Sequence, residues 1–337
     1  MVNSGKYIKK LRELTDSSGN ILLVCHVNPD GDAIGSMLAF WHYLSSTGKI
    51  VNMLSPNYLQ EFLLWMNGAE NINIYLRNRK KAVRMINEAG LIIFLDFNQP
   101  SRLGEAERAI INSPAVKVMI DHHVDPHTFA DLIISDTSCC ATAELIHEIV
   151  TGLNRGPYSS TAYDEALYVG IITDTGNFEH GSFTGNTLRI VASLIDSGVD
   201  REKVFSMIYN NFSVDRMRLQ GLALYSRMKI IEGTPAACIW LTKEDLINHS
   251  YAKGDTEGFV NMPLSIKGIS VAALFVEKEG FIKVSLRSHG SFSVNDFAVR
   301  YFNGGGHNNA AGGEFYDTLD KALGYFEDSI RNELAGI

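Results

Sequence analysis

One histidine and two aspartates lie within seven residues near the start of the chain, at His26, Asp30 and Asp32. They follow an apolar run, Ile21–Val24, that predicts a buried strand, and they precede Met37–Phe40, which predicts a helix. Ligands bind at the carboxyl ends of strands in open α/β sheets, and imidazole and carboxylate groups together bind divalent metals. The alternative interpretation is a polar turn in which the two aspartates cap the following helix.

Three more apolar segments of the chain end in acidic or histidine residues. Each one alone is typical of a strand that stops at a polar residue. Together with the first, they predict four segment ends that meet at one edge of a parallel sheet, where the negative charge would be strongly unfavourable without cations. The segments and their terminal residues are Leu91–Leu95 with Asp96, Val116–Ile120 with Asp121, His122 and His123, and Ile171–Thr173 with Asp174.

The charge of this cluster predicts how many cations it takes. Its four aspartates are negative, whereas two of its histidines can act as neutral ligands. Two divalent ions would bring the cluster to zero and admit an anionic substrate, whereas one ion would leave a charge that repels phosphate. Two ions ~3.5–4 Å apart are the arrangement used for displacement at phosphorus. One carboxylate must then bridge the ions, and Asp96, alone at its strand end, is the expected bridge.

These residues resemble the motifs of the DHH phosphoesterase superfamily, in the same order along the chain. The matching motifs are His-x-Asn-Pro-Asp-x-Asp-Ala-x-Gly-Ser from His26, the isolated Asp96, Asp-His-His from Asp121 and Thr-Asp-Thr-Gly-x-Phe from Thr173. Near the end of the chain, Gly304–Gly312 is similar to the GGGHxxAAG signature of the domain that usually accompanies them. The chain length and the Leu286–Ser288 segment are most similar to the bifunctional nanoRNases (oligoribonucleases) and pAp phosphatases.

The resemblance implies a metal-dependent phosphohydrolase, in which a hydroxide activated by two divalent ions attacks phosphorus in line with the leaving oxygen. The implied substrates are short oligoribonucleotides (nanoRNA), 3'-phosphoadenosine 5'-phosphate (pAp), or both. Oxygen and imidazole donors suit Mn²⁺ or Mg²⁺, and the resemblance favours Mn²⁺. The implied ligands are His26, Asp30 and Asp96 for one ion, and Asp32, Asp96, His122 and Asp174 for the other.

The second histidine of the Asp-His-His motif has a different implied role. Adjacent residues at a strand end point in different directions, so His122 and His123 do not easily bind the same ion. The resemblance places His123 near the scissile phosphate, where it would stabilise the transition state or donate a proton to the leaving oxygen. The expected catalytic residues are therefore His123 and the bridging Asp96. The alternative is that His123 only orients a neighbouring group.

Three other functions stay open at this stage. Phosphodiesterases that act on cyclic-di-AMP or pApA share the same motifs. RecJ-like single-strand exonucleases are similar but usually larger. A non-catalytic nucleotide sensor would be favoured by a missing ligand, yet every motif position of this chain is filled.

The glycine-rich segment predicts an anion site in the second domain. Successive glycines allow backbone N–H groups to converge on an anion, although a plain flexible turn is the alternative interpretation. Arg287 ends a predicted strand, where its planar fork could bind a phosphate through two hydrogen bonds. The resemblance extends this substrate-binding set to Arg287, Gly304, Gly305, Gly306, His307, Ser36 and Asn295.

The net charge of −8 argues against long nucleic acid as a substrate, because affinity for it comes mainly from phosphate neutralisation. The longest basic run, Arg77–Lys81, lies far from the motifs. We therefore expect short oligonucleotides or small phosphorylated nucleotides, and no long DNA or RNA. No apolar run approaches the ~20 residues of a membrane-spanning helix, and the few cysteines suit a reducing compartment, so a cytoplasmic protein is expected. A homodimer is one assembly that the sequence allows.

The overall pattern predicts an α/β fold: a doubly wound, mostly parallel sheet joined by a helical connector to a smaller α/β domain with a mixed sheet. We expect a catalytic domain over 1–195, the connector over 196–228 and a substrate-binding domain over 229–337, with the active site in the cleft between the domains. In the last domain, Glu279-Gly280 predicts a hairpin turn. The strands of the first domain are predicted near 21–27, 49–55, 91–96, 116–121 and 131–135, and its helices near 5–16, 34–47, 79–89, 141–152, 163–173 and 185–197.

Overall fold

The structure, a computed structural model, describes residues 4–179 and 183–334, with only the backbone of Ser4 and His307. The chain forms two compact units, Met1–Asn211 and Phe212–Ile337. The division falls within the segment predicted as a connector. None of the described helices is long and apolar enough to cross a membrane.

A parallel sheet forms the centre of the first unit. Its described strands lie in the order β3-β2-β1-β4-β5-β6, and all neighbours are parallel. The chain runs from β1 to β2 and β3 on one side of β1 and then crosses to β4 on the other side. This reversal creates a crevice at the carboxyl ends of β1 and β4. The strands are β1 (Asn20–Val24), β2 (Ile50–Ser55), β3 (Ile72–Ile74), β4 (Leu91–Leu95), β5 (Val116–Asp121) and β6 (Leu132–Ser135).

Helices cover both faces of this sheet. Ile21 and Leu23 of β1 pack into one apolar core, whereas Leu22 and Val24 pack into a second core on the opposite face. Burial on both faces explains why the strands are apolar throughout instead of alternating. The doubly wound parallel fold is confirmed, although the short β3 was not predicted. The helices are α1 (Ser4–Ser17), α2 (Gly31–Ser46), α3 (Arg79–Glu88), α4 (Glu107–Ile111), α5 (Thr142–Asn154), α6 (Thr161–Asp174), α7 (Gly185–Asp196) and α8 (Arg201–Tyr209).

The segment that ends in Asp174 corrects one expectation. It is the last turn of helix α6, so the helix predicted near 163–173 is confirmed, and Asp174 reaches the sheet edge from the end of a helix instead of from the end of a strand. Every residue from Tyr163 to Ile172 is buried. A helix that is buried all round has no polar face, and its short apolar end resembles a buried strand in the sequence.

Helices α2 and α6 approach each other closely because glycines face each other at their crossing. A Cβ on Gly35 would lie 2.5 Å from the carbonyl oxygen of Ala166 and 2.9 Å from the nitrogen of Gly170, and a Cβ on Gly170 would lie 2.9 Å from Oδ1 of Asp32. This close approach brings the end of α6, with Asp174, towards the first turn of α2, with Asp32.

We expect Gly35→Ala to destabilise the protein, because the atoms that its Cβ meets include the backbone of α6 and cannot rotate away. Overpacking of this kind lowers the free energy of unfolding by about 1–3 kcal/mol. The measurement is the midpoint of denaturant unfolding. Gly5→Ala is the matched control, since Gly5 also lies in a helix of this unit but has nothing within 4 Å of an added Cβ. Equal stability of the two variants would contradict the close packing of α2 and α6.

The second unit is built on a mixed sheet in the order β11-β12-β10-β9-β8-β7. Its β8 and β9 are parallel, and its other neighbours are antiparallel. The predicted hairpin joins β9 to β10, with Gly280 at φ 85°. The mixed sheet of the second domain is thus confirmed. Its elements are α9 (Val214–Tyr225), β7 (Met228–Ile231), β8 (Ala236–Leu241), α10 (Lys243–Asn248), β9 (Val271–Glu277), β10 (Ile282–Ser288), α11 (Val294–Tyr301), β11 (Gly305–His307), β12 (Ala310–Phe315) and α12 (Leu319–Leu334).

The last part of the glycine-rich segment forms a strand, and the substrate role expected of Gly304, Gly305 and Gly306 stays a prediction. Residues Gly305–His307 pair antiparallel with β12. The N–H of Gly304 is donated to the carbonyl of Ala298, and the N–H of Gly306 is donated to Asn295 Oδ1, so neither points at an anion. The glycines are needed for close packing, because a Cβ on Gly304 would lie 1.9 Å from the oxygen of Gly312.

Candidate metal centre

Five elements of the first unit bring six acidic and histidine side chains together. His26, Asp96 and His122 lie within two residues of the ends of β1, β4 and β5, so the parallel strands carry them to one edge of the sheet. The start of α2 adds Asp30 and Asp32, and the end of α6 adds Asp174. With His123 added, their ligand atoms form three groups, and within each group all atoms lie within 4.8 Å of one another: His26, Asp30 and Asp96; Asp32, His122 and Asp174; and Asp96, His122 and His123.

Asp96 lies between the groups, and its two carboxylate oxygens face different histidines. Oδ2 is 3.4 Å from His26 Nε2, whereas Oδ1 is 3.8 Å from His122 Nε2. The Thr142 hydroxyl also donates to Oδ1 at 2.8 Å. Asp96 has φ 67°, a left-handed conformation that is uncommon outside glycine and is often found at functional sites. A strained backbone therefore points this carboxylate into the centre.

His26 and His122 each direct one ring nitrogen to a backbone carbonyl and the other to the carboxylates. His26 Nδ1 is 2.8 Å from the oxygen of Val27, and His122 Nδ1 is 3.2 Å from the oxygen of Cys139. When Nδ1–H donates to the carbonyl, Nε2 keeps its lone pair for a cation. Both imidazoles are thus oriented as neutral ligands.

The carboxylate of Asp32 is held by the first turn of α5. The backbone N–H groups of Thr142 and Ala143 donate to it at 2.6 and 2.9 Å, which favours a negative group through the dipole of the helix. Its other neighbours are His122 Nε2 at 3.9 Å and the Ser36 hydroxyl, which donates at 3.2 Å. Ser36 is fully buried behind Asp32, so this hydroxyl holds the carboxylate and lacks the accessible surface that its expected substrate contact requires.

The two alternatives for Asp30 turn out to be compatible. Its Oδ1 accepts the N–H of Ala33 and caps α2, as the polar-turn interpretation expected. Its Oδ2 faces His26 Nε2 at 3.9 Å. One carboxylate can therefore cap the helix and still offer an oxygen to a cation.

The carboxylates repel one another strongly when no cation lies between them. Burial, followed by the charges of Asp96 and Asp174, raises the pKa of Asp32 well above its usual range. Burial raises the pKa of Asp174 to about 7, although the charge of His122 opposes this effect. Burial would also raise the pKa of Asp96, but the hydrogen bond from His26 and the charge of His123 hold that pKa below its usual range. Carboxylates under this repulsion, together with imidazole nitrogens, fit hard divalent cations.

Asp121 and His123 form a separate pair beside the centre. His123 Nδ1 is 2.7 Å from Asp121 Oδ1, and Asp121 is fully buried. Burial disfavours the protonated imidazole, but the hydrogen bond to Asp121 and the charge of Asp96 raise the pKa of His123 to about 9. The second oxygen of Asp121 is buried and makes no hydrogen bond within the described residues. The carboxylate of Asp121 thus fixes the orientation of the His123 ring beside the cation ligands.

An amide pair that the sequence reasoning missed holds the loop between His26 and Asp30. Asn28 N–H donates to Asn57 Oδ1 at 2.7 Å, and Asn57 Nδ2 donates back to Asn28 Oδ1 at 2.6 Å. Asn28 has φ 53°, so the loop passes through a strained conformation at this residue. Asn57 follows β2, the neighbour of β1 in the sheet, and no local sequence signal links the two asparagines.

We expect Asn57→Ala to weaken metal binding about 10-fold, because loss of a group that orients ligands typically lowers metal affinity 10–100-fold. Calorimetric titration of the metal-free protein with Mn²⁺ would measure this change. Asn52→Ala is the control: Asn52 makes a similar amide pair with Asn20, at the amino end of β1. Equal metal affinities in both variants would mean that the Asn28–Asn57 pair does not position the ligands.

In the second unit, Arg287 and Asn295 have described side chains and the substrate role expected of them stays a prediction. Arg287 is half-buried in β10, and its Nη1 donates to the oxygen of Leu286 at 2.9 Å. Burial lowers the pKa of its guanidinium. Asn295 holds Gly306, as described above. The side chain of His307 lies outside the described part of the chain.

Two family descriptions match the chain. The DHH family N-terminal domain matches residues 20–171, and the DHHA1 domain matches residues 226–332. A crystal structure of an exopolyphosphatase-related protein from Bacteroides fragilis is 39% identical with a TM-score of 0.94, and the alignment covers 97% of this chain and 96% of that one. The chain belongs to the DHH family. This membership confirms the resemblance seen in the motifs and the expected enzyme class, a phosphodiesterase or phosphatase.

Curated relatives extend along nearly the whole chain. A protein of Thermus thermophilus named bifunctional oligoribonuclease and PAP phosphatase NrnA is 28% identical over 98% of this chain and 96% of its own length. The protein of the same name from Bacillus subtilis is 27% identical over 91% of this chain and 93% of its own length. RecJ of Thermus thermophilus, solved with Mn²⁺, has a TM-score of 0.61 at 12% identity, which shows a shared fold alone.

Proposed function

We propose that this DHH phosphoesterase hydrolyses short oligoribonucleotides and pAp at a centre that holds two divalent ions. The orientation of the Asp96 carboxylate supports two ions most directly, since each of its oxygens faces a different histidine, at 3.4 and 3.8 Å. Ligands that share an ion with bonds of ~2.1 Å lie no more than ~4.2 Å apart, so each distance suits one ion. Residues proposed for the first ion are His26, Asp30 and Asp96, and for the second Asp32, Asp96, His122 and Asp174.

Mn²⁺ and Mg²⁺ suit this set of carboxylate and imidazole donors, and we propose Mn²⁺ as the metal in use. A bound pair of ions lowers the pKa of coordinated water and polarises phosphoryl oxygens. The chain itself contributes the positions of the ligands, through Thr142, Ala143 and the carbonyls that fix both imidazoles. Burial of Asp32 and Asp96 keeps bulk water from competing for these ligands.

His123 is proposed to act on the scissile phosphate. Its Nδ1 is committed to Asp121, so the ring is held by a buried carboxylate instead of by a cation. Asp121 thereby sets the orientation from which the imidazole can donate a proton to a phosphoryl or leaving oxygen. The positions of His122 and His123, with different partners on adjacent residues, support separate roles.

Asp96→Asn should be the most damaging single change to a ligand, because it weakens both metal positions. We expect the activity with Mn²⁺ to fall to well below a tenth of that of the parent, and EDTA to abolish the parent's activity until Mn²⁺ is added. Hydrolysis of pAp and the stoichiometry of Mn²⁺ binding are the measurements. The control is Asp200→Asn, which changes the cap of α8, where asparagine serves equally well. Two ions bound with full affinity by Asp96→Asn would rule out the bridge.

The proposed substrates are small, for two reasons. The relatives from Thermus thermophilus and Bacillus subtilis are named bifunctional oligoribonuclease and PAP phosphatase, and this chain aligns with 96% and 93% of their lengths. The net charge of −8 disfavours binding of a long polyanionic strand. Arg287 and Asn295 are proposed to bind the remainder of a short substrate, so that remote binding energy positions its scissile phosphate.

We predict that catalytic efficiency peaks at about two to five nucleotides and falls for RNA of ~20 nucleotides, because a longer strand gains no contacts and meets an acidic surface. The penalty should increase at low salt, where screening is weaker. The measurement is kcat/KM for a 5'-phosphorylated oligoadenylate series, with pAp, pApA and cyclic-di-AMP beside it. Efficiency that rises steadily with length would indicate a RecJ-like exonuclease, and cleavage of cyclic-di-AMP alone would indicate a cyclic-dinucleotide phosphodiesterase.

A further inference from the structure

Arg102 is an arginine beside the metal centre that neither the motifs nor the ligand set includes. It lies six residues after Asp96, in a short 3-10 segment, Pro100–Ala106. Its Nη2 is 3.3 Å from His26 Nδ1. Arg102 is half-buried and, within the described residues, its guanidinium makes no ion pair with a carboxylate. Arg79, on the neighbouring surface, pairs instead with Glu105.

The backbone fixes Arg102 against the loop that carries His26. Val27 N–H donates to the carbonyl of Arg102 at 2.8 Å. Gly104 has φ 52°, and a Cβ there would lie 2.7 Å from the side chain of Val27. Leu103 is fully buried and anchors the segment in the core. Arg102 therefore stays next to His26 by packing, whatever its guanidinium binds.

A hydrogen bond from Arg102 to Nδ1 of His26 is incompatible with a metal on Nε2 of His26. To ligate through Nε2, the neutral ring must carry its proton on Nδ1 and donate it to Val27 O at 2.8 Å. Guanidinium has donors only, so Arg102 has no acceptor on that ring. A half-buried cation is then left unpaired beside the first ion, a position that an anion would stabilise.

We propose that Arg102 binds a non-bridging oxygen of the scissile phosphate, as a specificity residue for phosphate in the catalytic unit itself. Its planar fork can donate two hydrogen bonds to phosphate oxygens. This inference rests on the proposed function, because it needs a phosphate at the two-ion centre. The guanidinium of Arg102 is then a cation of the protein itself that faces the substrate at the acidic centre.

The test uses the full chain and the variants Arg102→Ala, Arg102→Gln and Arg102→Lys, with Arg79→Ala as the matched control. Mn²⁺ affinity is measured from the electron paramagnetic resonance signal of free Mn²⁺, and binding of inorganic phosphate to the Mn²⁺-loaded protein is measured by calorimetry. The kcat/KM for pAp completes the set. A thermal melt of each variant checks folding, and Arg102→Gln replaces Arg102→Ala in every comparison if the smaller side chain destabilises the loop.

Arg102→Ala should lower phosphate affinity and kcat/KM by about 10–100-fold, the loss typical of a hydrogen bond to a charged group. Mn²⁺ affinity should be unchanged or higher, since a positive charge beside the ions is removed. Arg102→Lys should recover part of the loss, because it restores the charge without the fork. Arg79→Ala should match the parent protein throughout.

Two results would overturn the inference. Phosphate binding by Arg102→Ala that equals the parent's would exclude contact with the substrate. A fall in Mn²⁺ affinity as large as the fall in phosphate affinity would mean that Arg102 only positions His26. A parent protein that binds no Mn²⁺ or leaves pAp intact would instead reject the proposed function, and the two failures are thus distinguishable.

Discussion

The first unit depends on one electrostatic constraint: carboxylates must be packed together inside the protein at the edge of a sheet. Asp32 and Asp96 are almost fully buried, and their charges raise each other's free energy in a medium of low dielectric. The fold supplies partial compensation from backbone groups, since the first turn of α5 donates two N–H groups to Asp32. The remainder must come from cations, so the same repulsion that destabilises the metal-free protein becomes affinity for divalent ions.

Topology decides where these carboxylates can meet. The reversal of strand order between β1 and β4 opens the crevice, and adjacent parallel strands carry His26, Asp96 and His122 to its rim. The sheet edge alone supplies only the side chains that follow the strands, which form one layer of the centre. The second layer comes from helices, through Asp32 on α2 and Asp174 on α6, and the glycine contact between those helices sets the distance. The positions of the ligands therefore depend both on the order of the strands and on the close packing of α2 against α6.

The sequence contained most of the fold and the chemical composition of the centre, because both follow from local signals. Apolar strands that end in acids, and the order of the motifs, predicted the parallel sheet and the residues that converge. The errors concern properties fixed by distant contacts. Asp174 ends the predicted helix near 163–173 but was grouped with strand ends, because only the packing of that helix brings it to the sheet edge. Ser36 is turned towards Asp32. The glycines of β11 also allow close backbone packing against β12, which the sequence pattern did not reveal.

Asn57 and Arg102 could not be predicted from the sequence, since neither lies in a recognisable motif. Each matters through a partner far away in the chain, and only the folded backbone brings them to the loop of His26. Arg102 also changes the charge balance on which the centre depends. The two divalent ions proposed above would offset the charges of Asp30, Asp32, Asp96 and Asp174, and Arg102 would then leave the loaded centre net positive by one charge. With that charge balance, the proposed centre would attract a phosphate locally, while the net negative charge of the protein would repel a long polyanion.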